Sequence, residues 1–348
     1  MENLELSLLI SDKINIFVSD IKKKEMDWKK FNFDINEFEK NLRRIEAKKS
    51  KLDTFRPIPA IVLSSIKEAL NLEWIHHSNG IEGNTLTLQE TRLVLEEGIT
   101  IKGKSLREHF EAMNHQDAIT YIEHLVKPDY KLTVSDILEV NGLVLQNIEK
   151  DFAGRFRTAG VRISGANFVP PNALKVPDLT SELTEWVLSQ SDVLHPLVLA
   201  TLFHHRFVWI HPFFDGNGRT VRLMFNLLLM KEGYPPAIIL KTDRKKYYDA
   251  LNKANNGDYK KLFLLMLQAM ERSLDIYISN LEDHANDYMP ISSIVAEPEA
   301  VYGQEYVSLL ARQGKIDAYK EGKTWYTTAH AINEYIEKRE RKRVKKPL

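Results

Sequence analysis

Residues 195–210 read HPLVLATLFHHRFVWI, and a helix built from them carries apolar side chains around nearly its whole circumference. Such a helix has no face to give to water, so the chain must wrap other elements around it. That predicts a helical core with this segment at its centre. Directly after it comes HPFFDGNGRTVR, residues 211–222, which gathers a histidine, an aspartate, an asparagine, two glycines and two arginines into twelve positions. The apolar run that follows, RTVRLMFNLLLMKEG, predicts a helix opening near Arg219 and stopped by Gly233 and Pro235-Pro236. A charged loop between two buried helices is costly to hold unless something binds there.

The loop's own chemistry indicates what. Gly216 and Gly218 flank Asn217 and let the backbone point N–H groups at one spot. The helix that follows adds free N–H groups and the positive end of its dipole. Arg219 and Arg222 lie three apart, so both guanidinium groups reach one side. This is a phosphate site with room for more than one phosphate, and it lacks the Gly-Lys-Ser/Thr element of a Walker loop. Asp215 at its mouth would repel phosphate unless a divalent ion lay between them, and Mg²⁺ suits a carboxylate shared with phosphate oxygens. His211 at the helix end is placed to take a proton from an incoming hydroxyl. The set points to phosphoryl or nucleotidyl transfer. The alternative, His204, His205 and His211 as metal ligands of a phosphohydrolase, matches no common spacing and lacks a second carboxylate cluster.

Elsewhere the pattern is mainly helical. Residues 1 to about 55 are charged with helical spacing, and Arg56-Pro57-Ile58-Pro59 breaks them. A helix from about Ala60 to His77 sets Ile61, Ile66, Leu70 and Trp74 on one side and ends at SNGIEGN, residues 78–84. Thr87 and Glu90 form a capping-box pattern for the next helix. Further helices are predicted over 106–126, 134–148, 176–189 and 194–210, with one or two in 243–281. GRFRTAGVRISGANFVPP, residues 154–171, predicts a small β-hairpin. HANDYMPI, residues 284–291, reads as a linker. Beyond it, a helix over 299–313, two short strands around Glu321-Gly322 and a helix from Ala329 suggest a winged-helix module ending in the basic tail KRERKRVKKPL.

Composition excludes more than it selects. The 348 residues include no cysteine, which removes disulfides, thiolate metal sites and a cysteine nucleophile and suits a reducing cytoplasm. With 48 basic and 48 acidic residues, net charge argues for neither nucleic acid nor acidic lipid. No stretch is apolar enough to span a bilayer, and the first residues lack a signal-peptide pattern, so a cytoplasmic location is the expectation.

HPFFDGNGRTVR follows, position for position, the HxFx(D/E)GNGRxxR signature of Fic-domain proteins, which the chain resembles. SNGIEGN is similar to the (S/T)xxxE(G/N) inhibitory motif of that family, GRFRTAGVRISG to its flap, and KYYDALNKANNGD (residues 246–258) to its base-pocket segment. The resemblance implies a mainly α fold: a Fic-type helical core with a β-hairpin flap, plus the small C-terminal winged-helix (α+β) domain. It implies transfer of AMP from ATP to a Ser, Thr or Tyr hydroxyl of a protein, with self-modification as one case. His211 would deprotonate the hydroxyl, Asp215 would hold Mg²⁺, and Gly216, Asn217 and Gly218 would form an anion hole with Asn217 on the α-phosphate. Arg219 would meet the β-phosphate and Arg222 the γ-phosphate, Phe213 would anchor the core, and Tyr247 and Asn255 would line the adenosine pocket. The flap, with Arg157, Thr158, Val161 and Ile163, would pair with the target as an added strand. Glu82 would form a salt bridge to Arg222 and misalign ATP, with Ser78 one turn earlier helping to fix the inhibitory helix.

The resemblance leaves the direction open, since the same Glu82 positions water in some relatives to remove AMP from a modified target. It implies three parts: an N-terminal helical region with the inhibitory helix over 1–105, a catalytic core over 106–284 and a winged-helix-like module over 285–348. The module could bind DNA through its basic tail or recruit protein, and a DNA-binding regulator with a nucleotide-sensing core is the reading from another class. The family's habits and the apolar helices also make a homodimer an expectation.

Overall fold

The computed structural model describes residues 35–344, apart from 57, 59, 128, 164, 167, 285, 286 and 297–299. Expectations for residues 1–34, the prolines at 57 and 59, Glu299 and the end of the basic tail lie outside these. The chain is mainly α-helical. Its helices are α1 (Glu39–Asp53), α2 (Ala60–Ile81), α3 (Leu88–Glu97), α4 (Leu106–Leu125), α5 (Val134–Leu145), α6 (Val176–Gln190), α7 (Pro196–Ile210), α8 (Asn217–Lys231), α9 (Arg244–Ala254) and α10 (Lys260–His284). The C-terminal part adds β1 (Met289–Pro290), α11 (Ile291–Ile294), α12 (Gln304–Arg312), β2 (Ala318–Glu321), β3 (Thr324–Thr327) and α13 (Ala329–Val344).

Among the described residues the chain divides into two compact units, 35–42 with 71–273 and 43–70 with 274–344. In the first unit α7 is the centre, as its all-round apolar sequence requires. Leu197 to His205 are buried without interruption, as are Phe207 and Ile210. It packs against α6 and α8, and α8 in turn meets α4 and α5. Three helices open with capping boxes, Thr87–Glu90 on α3, Ser105–Glu108 on α4 and Thr133–Asp136 on α5, which satisfy their orphan N–H groups. Ile66, Leu70 and Trp74 of α2 are buried, as their spacing predicts.

In the second unit a three-stranded antiparallel sheet has the order β1-β3-β2. Tyr319 opposes Tyr326 and Met289 opposes Thr327. Residues 289–290, expected in a linker, are therefore an edge strand, and Met289 is buried. The linker reading fails because two residues carry too little pattern to reveal pairing with a strand far along the chain. Lys48 meets Asp275 at 2.6 Å and Lys51 meets Glu282 at 2.5 Å, exposed pairs that add little stability. Among the described residues no helix is long and apolar enough to cross a membrane.

Residues 154–171 also depart from expectation. No strand ladder forms there among the described residues. The segment is tied instead to the loop it crosses: Arg157 N–H donates to the Pro212 carbonyl at 2.9 Å. That bond goes outward to a neighbouring loop, while the Ala166 N–H closes a local turn on the Ile163 carbonyl.

Candidate active site

α7 ends at His211 because that residue takes a left-handed conformation (φ 51, ψ 63) while its N–H still closes the last turn on the Phe207 carbonyl. Five residues on, Gly216 caps α8 at φ 78 with no side-chain cap. The helix therefore starts at Asn217, two residues before the Arg219 start that the apolar pattern suggests, and Gly218 lies inside its first turn. The N–H groups of that turn face outward uncapped, with the dipole's positive end behind them. Gly216 must lack a side chain: a Cβ would stand 2.9 Å from Asn141 Nδ2, besides the strain at its positive φ.

Several side chains shape the loop from below. Asn217 Oδ1 accepts the Phe213 N–H at 2.9 Å, and its Nδ2 donates to the Phe213 carbonyl at 2.8 Å. The Asn217 amide expected on the α-phosphate is therefore engaged in closing the loop; what it offers a ligand is its backbone N–H. Phe213 is wholly buried, the anchor that was expected. Arg157, expected in target docking, is buried too, with Nε donating to the His211 carbonyl at 2.8 Å and NH1 to the Ala159 carbonyl at 3.0 Å. Its guanidinium donates to carbonyls of its own and the neighbouring loop. Thr158 is exposed and Val161 and Ile163 are half-buried, so these remain within reach of a partner.

Asp215 lies at the mouth. One oxygen accepts the Gly216 N–H at 2.6 Å, and the other meets Arg107 at 2.6 Å. Burial pushes its carboxyl up, and Arg219, the Gly216 N–H and Arg107 together hold it below the usual range, so it is an anion. Burial lowers the His211 imidazole to about 4 and the Arg157 charge adds to this, while the Val208 carbonyl, Glu82 and Asp215 oppose it. Its buried Nδ1 makes no hydrogen bond of normal geometry. The ring is thus neutral at physiological pH, the form that accepts a proton.

Above the helix N-terminus sits Glu82. Its Oε1 lies 2.8 Å from Arg222 NH1, and a Cβ on Gly218 would come within 2.1 Å of that oxygen. Arg222 is buried, with Nε donating to Ser78 Oγ at 2.9 Å and NH2 to the Ser78 carbonyl at 2.8 Å. Ser78 thus acts directly on the arginine. Arg219, likewise buried, meets Glu111 at 3.2 Å. The carboxylate of Glu82 thus lies beside Gly218 in the first turn of α8 and pairs with an arginine of that helix.

Tyr247 is fully buried and its hydroxyl meets His204 Nε2 at 3.1 Å. Asn255 Oδ1 meets His205 Nε2 at 2.9 Å, while His205 Nδ1 meets the Tyr259 hydroxyl at 2.9 Å. With both ring nitrogens of His205 engaged in side-chain bonds, the histidine metal site weighed above has lost one of its three ligands. Sequence reasoning missed Arg107, Glu111, Asn84 and Asn141. Asn84 Nδ2 donates to Glu111 Oε2 at 3.0 Å, and Asn141 donates to the Asp215 carbonyl at 3.1 Å. Arg107 and Glu111 stand four apart on α4, a signal that ordinarily marks a surface helix pair.

Fold and site together define a class: an α-helical domain with a glycine-flanked helix N-terminus lacking a side-chain cap, and a neutral histidine and an ionised aspartate beside it. Residues 131–229 match the Fic/DOC family. Fic-1 of C. elegans (residues 134–508) is similar in structure at TM-score 0.64 and 30% identity, over 70% of this chain and 73% of that one. A Fic domain containing signaling protein from Bacteroides thetaiotaomicron aligns at TM-score 0.64 and 26% identity, over 70% and 97%. A Nematostella vectensis relative named protein adenylyltransferase Fic is 38% identical over 241 residues, 69% of this chain and 56% of its own length. One of the same name from Drosophila willistoni is 37% identical over 276 residues, 79% and 54%. The chain belongs to the Fic family. It spans about half the length of these two curated relatives.

Proposed function

We propose that the chain is a protein adenylyltransferase that moves AMP from ATP onto a Ser, Thr or Tyr hydroxyl of a protein. The observation that carries this reading is the Glu82 carboxylate seated against Gly218 and Arg222, because a site that draws in a carboxylate there suits a phosphate. The name carried by the relatives supports the same chemistry. His211 accepts the hydroxyl proton; the hydroxyl oxygen then forms a bond to the α-phosphorus while the bond to the bridging α–β oxygen breaks and pyrophosphate leaves. The N–H groups of Asn217, Gly218 and Arg219 stabilise charge on the phosphoryl oxygens. Arg219 and Arg222 hold the β- and γ-phosphates, and Tyr247 and Asn255 back the adenosine pocket through α9. Thr158, Val161 and Ile163 of the flap align the target.

Asp215 suits Mg²⁺ carried by the nucleotide. It is ionised, its side chain is 41% exposed, and it stands alone: among the described residues no group of three metal-ligating side chains occurs. A lone carboxylate binds Mg²⁺ well only when phosphate oxygens complete the shell. The ion, when bound, neutralises charge on the phosphates.

Glu82 is the brake in this reading. It engages Arg222 and lies where the γ-phosphate would go, so ATP enters misaligned until the turn moves. Release of AMP from a modified target is the second reading, in which the Glu82 carboxylate beside Gly218 positions the attacking water. The parts follow as 1–105 for the inhibitory region, 106–284 for the catalytic core and 285–348 for a winged-helix module that binds DNA or protein. Leu106 at 65% and Ile99 at 42% exposure support a homodimer through α4. The cysteine-free composition suits the cytoplasm.

Mass spectrometry of lysate treated with ATP and Glu82→Gly protein tests the reading by revealing which hydroxyls gain AMP. If none do, and none do on the protein itself, the transferase reading fails. Incubating a modified target with wild type and Glu82→Gly separates addition from removal. A gel shift that weakens steeply with salt tests DNA binding.

A further inference from the structure

Arg107 lies outside the glycine loop, on the first turn of α4, yet its NH2 is 2.6 Å from Asp215 Oδ2. The other Asp215 oxygen is held by the Gly216 N–H and faces Arg219 NH2 at 3.6 Å. Arg107 Nε lies 3.4 Å from Glu111 Oε1, and Arg219 NH1 lies 3.2 Å from that same oxygen. The four side chains close a ring of alternating charge: Arg107, Asp215, Arg219, Glu111. The two arginines are not equivalent in it. The side chain of Arg219 is 3% exposed and that of Arg107 is 47% exposed. A further carboxylate, Glu149, waits outside the ring with Oε1 3.4 Å from Arg107 NH1.

We infer that Arg107 is a resident cation on Asp215: it holds the seat that a divalent ion takes on nucleotide loading, and swings onto Glu111 and Glu149 to vacate it. The inference rests on Asp215 bearing Mg²⁺, as proposed above. A second cation at the same carboxylate oxygen is repelled by the first, so the ion loads more readily with Arg107 withdrawn. Arg219 is locked in the interior. Arg107 is long, half in water and already in touch with two other carboxylates, so its departure leaves no charge unpaired. The arginine keeps Asp215 neutralised while the site is empty, and it sets how much Mg²⁺ the nucleotide needs in order to load. A simple tether between α4 and the loop would have no such effect on metal affinity.

The test is Mg²⁺ affinity in the complex with a non-hydrolysable ATP analogue. Calorimetry at fixed analogue and electron paramagnetic resonance with Mn²⁺ both read it without turnover. Arg107→Gln should bind the ion about three- to fivefold more tightly, the size expected of a half-exposed ion pair. Arg107→Lys, which keeps the charge, should stay near wild type. Glu149→Gln should weaken the ion about twofold in the wild-type background and have no effect once Arg107→Gln is present. Unchanged or weaker metal affinity in Arg107→Gln overturns the inference, provided that wild-type analogue binding depends on Mg²⁺ and Asp215→Asn abolishes that dependence. If Asp215→Asn leaves the dependence intact, the metal reading of Asp215 is what fails. Thermal melts check that the variants fold, and Arg107→Met repeats the test should the glutamine variant melt early.

Discussion

Glu82 meets Arg222 at 2.8 Å across the first turn of α8, so close to Gly218 that a Cβ there would stand 2.1 Å from the carboxylate. One side chain thereby touches both the arginine and the glycine of that turn. Ser78 holds the same guanidinium through its hydroxyl and its carbonyl. Three contacts from one helix end, two from Ser78 and one from Glu82, thus converge on Arg222.

Removing the carboxylate should free the arginine. Glu82→Gly is expected to raise incorporation of AMP from α-labelled ATP by about ten- to a hundredfold, the usual span of a coupling between sites. Adding His211→Ala should remove the gain, leaving activity about a hundredfold or more below the single variant. A Glu82→Gly rate equal to wild type, with His211→Ala inactive, would sink the autoinhibition reading.

Gly218→Ala separates folding from binding. Gly218 has ordinary helical geometry, and the nearest obstruction to a Cβ is the end of the Glu82 side chain, which can move. The methyl would also stand 3.0 Å from Arg222 NH1, so the variant should lose about 1 kcal/mol, a fall of a few degrees in Tm. Its affinity for ATP should nonetheless fall about tenfold, since the added methyl stands where a phosphate must approach the backbone. Calorimetric titration with ATP, beside a melt, checks both halves.

Gly216→Ala and Asn217→Ala should behave in the opposite way. The first forces a side chain into a left-handed turn against Asn141, and the second strips both bonds that close the loop on Phe213. Each should cost about 1–3 kcal/mol, read as a lower urea midpoint with an unchanged slope.

The pH dependence follows from histidines buried in the neutral form. His77, His205 and His211 are each lowered to about 4, foremost by burial. The unfolded chain takes up these protons near pH 6.5, before the folded one does. The stability they confer is full above about 6.5 and is lost as pH falls from there towards 4. Urea midpoints at pH 7.5, 6 and 4.5 should therefore decline in that order. For the same reason kcat/KM for ATP should stay level down to about pH 5, and an acid limb centred at 6.5 would show that His211 is not so buried in solution.

Much of this protein is readable from local pattern. The all-round apolar α7, the capping residues at Thr87 and the spacing of Ile66, Leu70 and Trp74 each report a short-range preference, and the helices follow from them. So do the residue types of the glycine loop, because the chemistry of a helix N-terminus is set within a few residues. Residues 154–171 mislead because a β-branched, glycine-containing stretch looks the same whether its arms pair with each other or, as Arg157 does, with the Pro212 carbonyl of a distant loop.

Tertiary structure alone decides which charges meet. Arg107 and Asp215 are 108 positions apart, and Ser78 and Arg222 are 144 apart. No periodicity encodes such pairs, since each partner looks locally like a solvated side chain. Folding brings α2, α4 and α8 to one point, and burial there turns ordinary surface charges into a coupled set. The residues of the glycine loop are written in a dozen consecutive positions, while their ion pairs with Glu82 and Arg107 exist only where helices far apart in the chain converge.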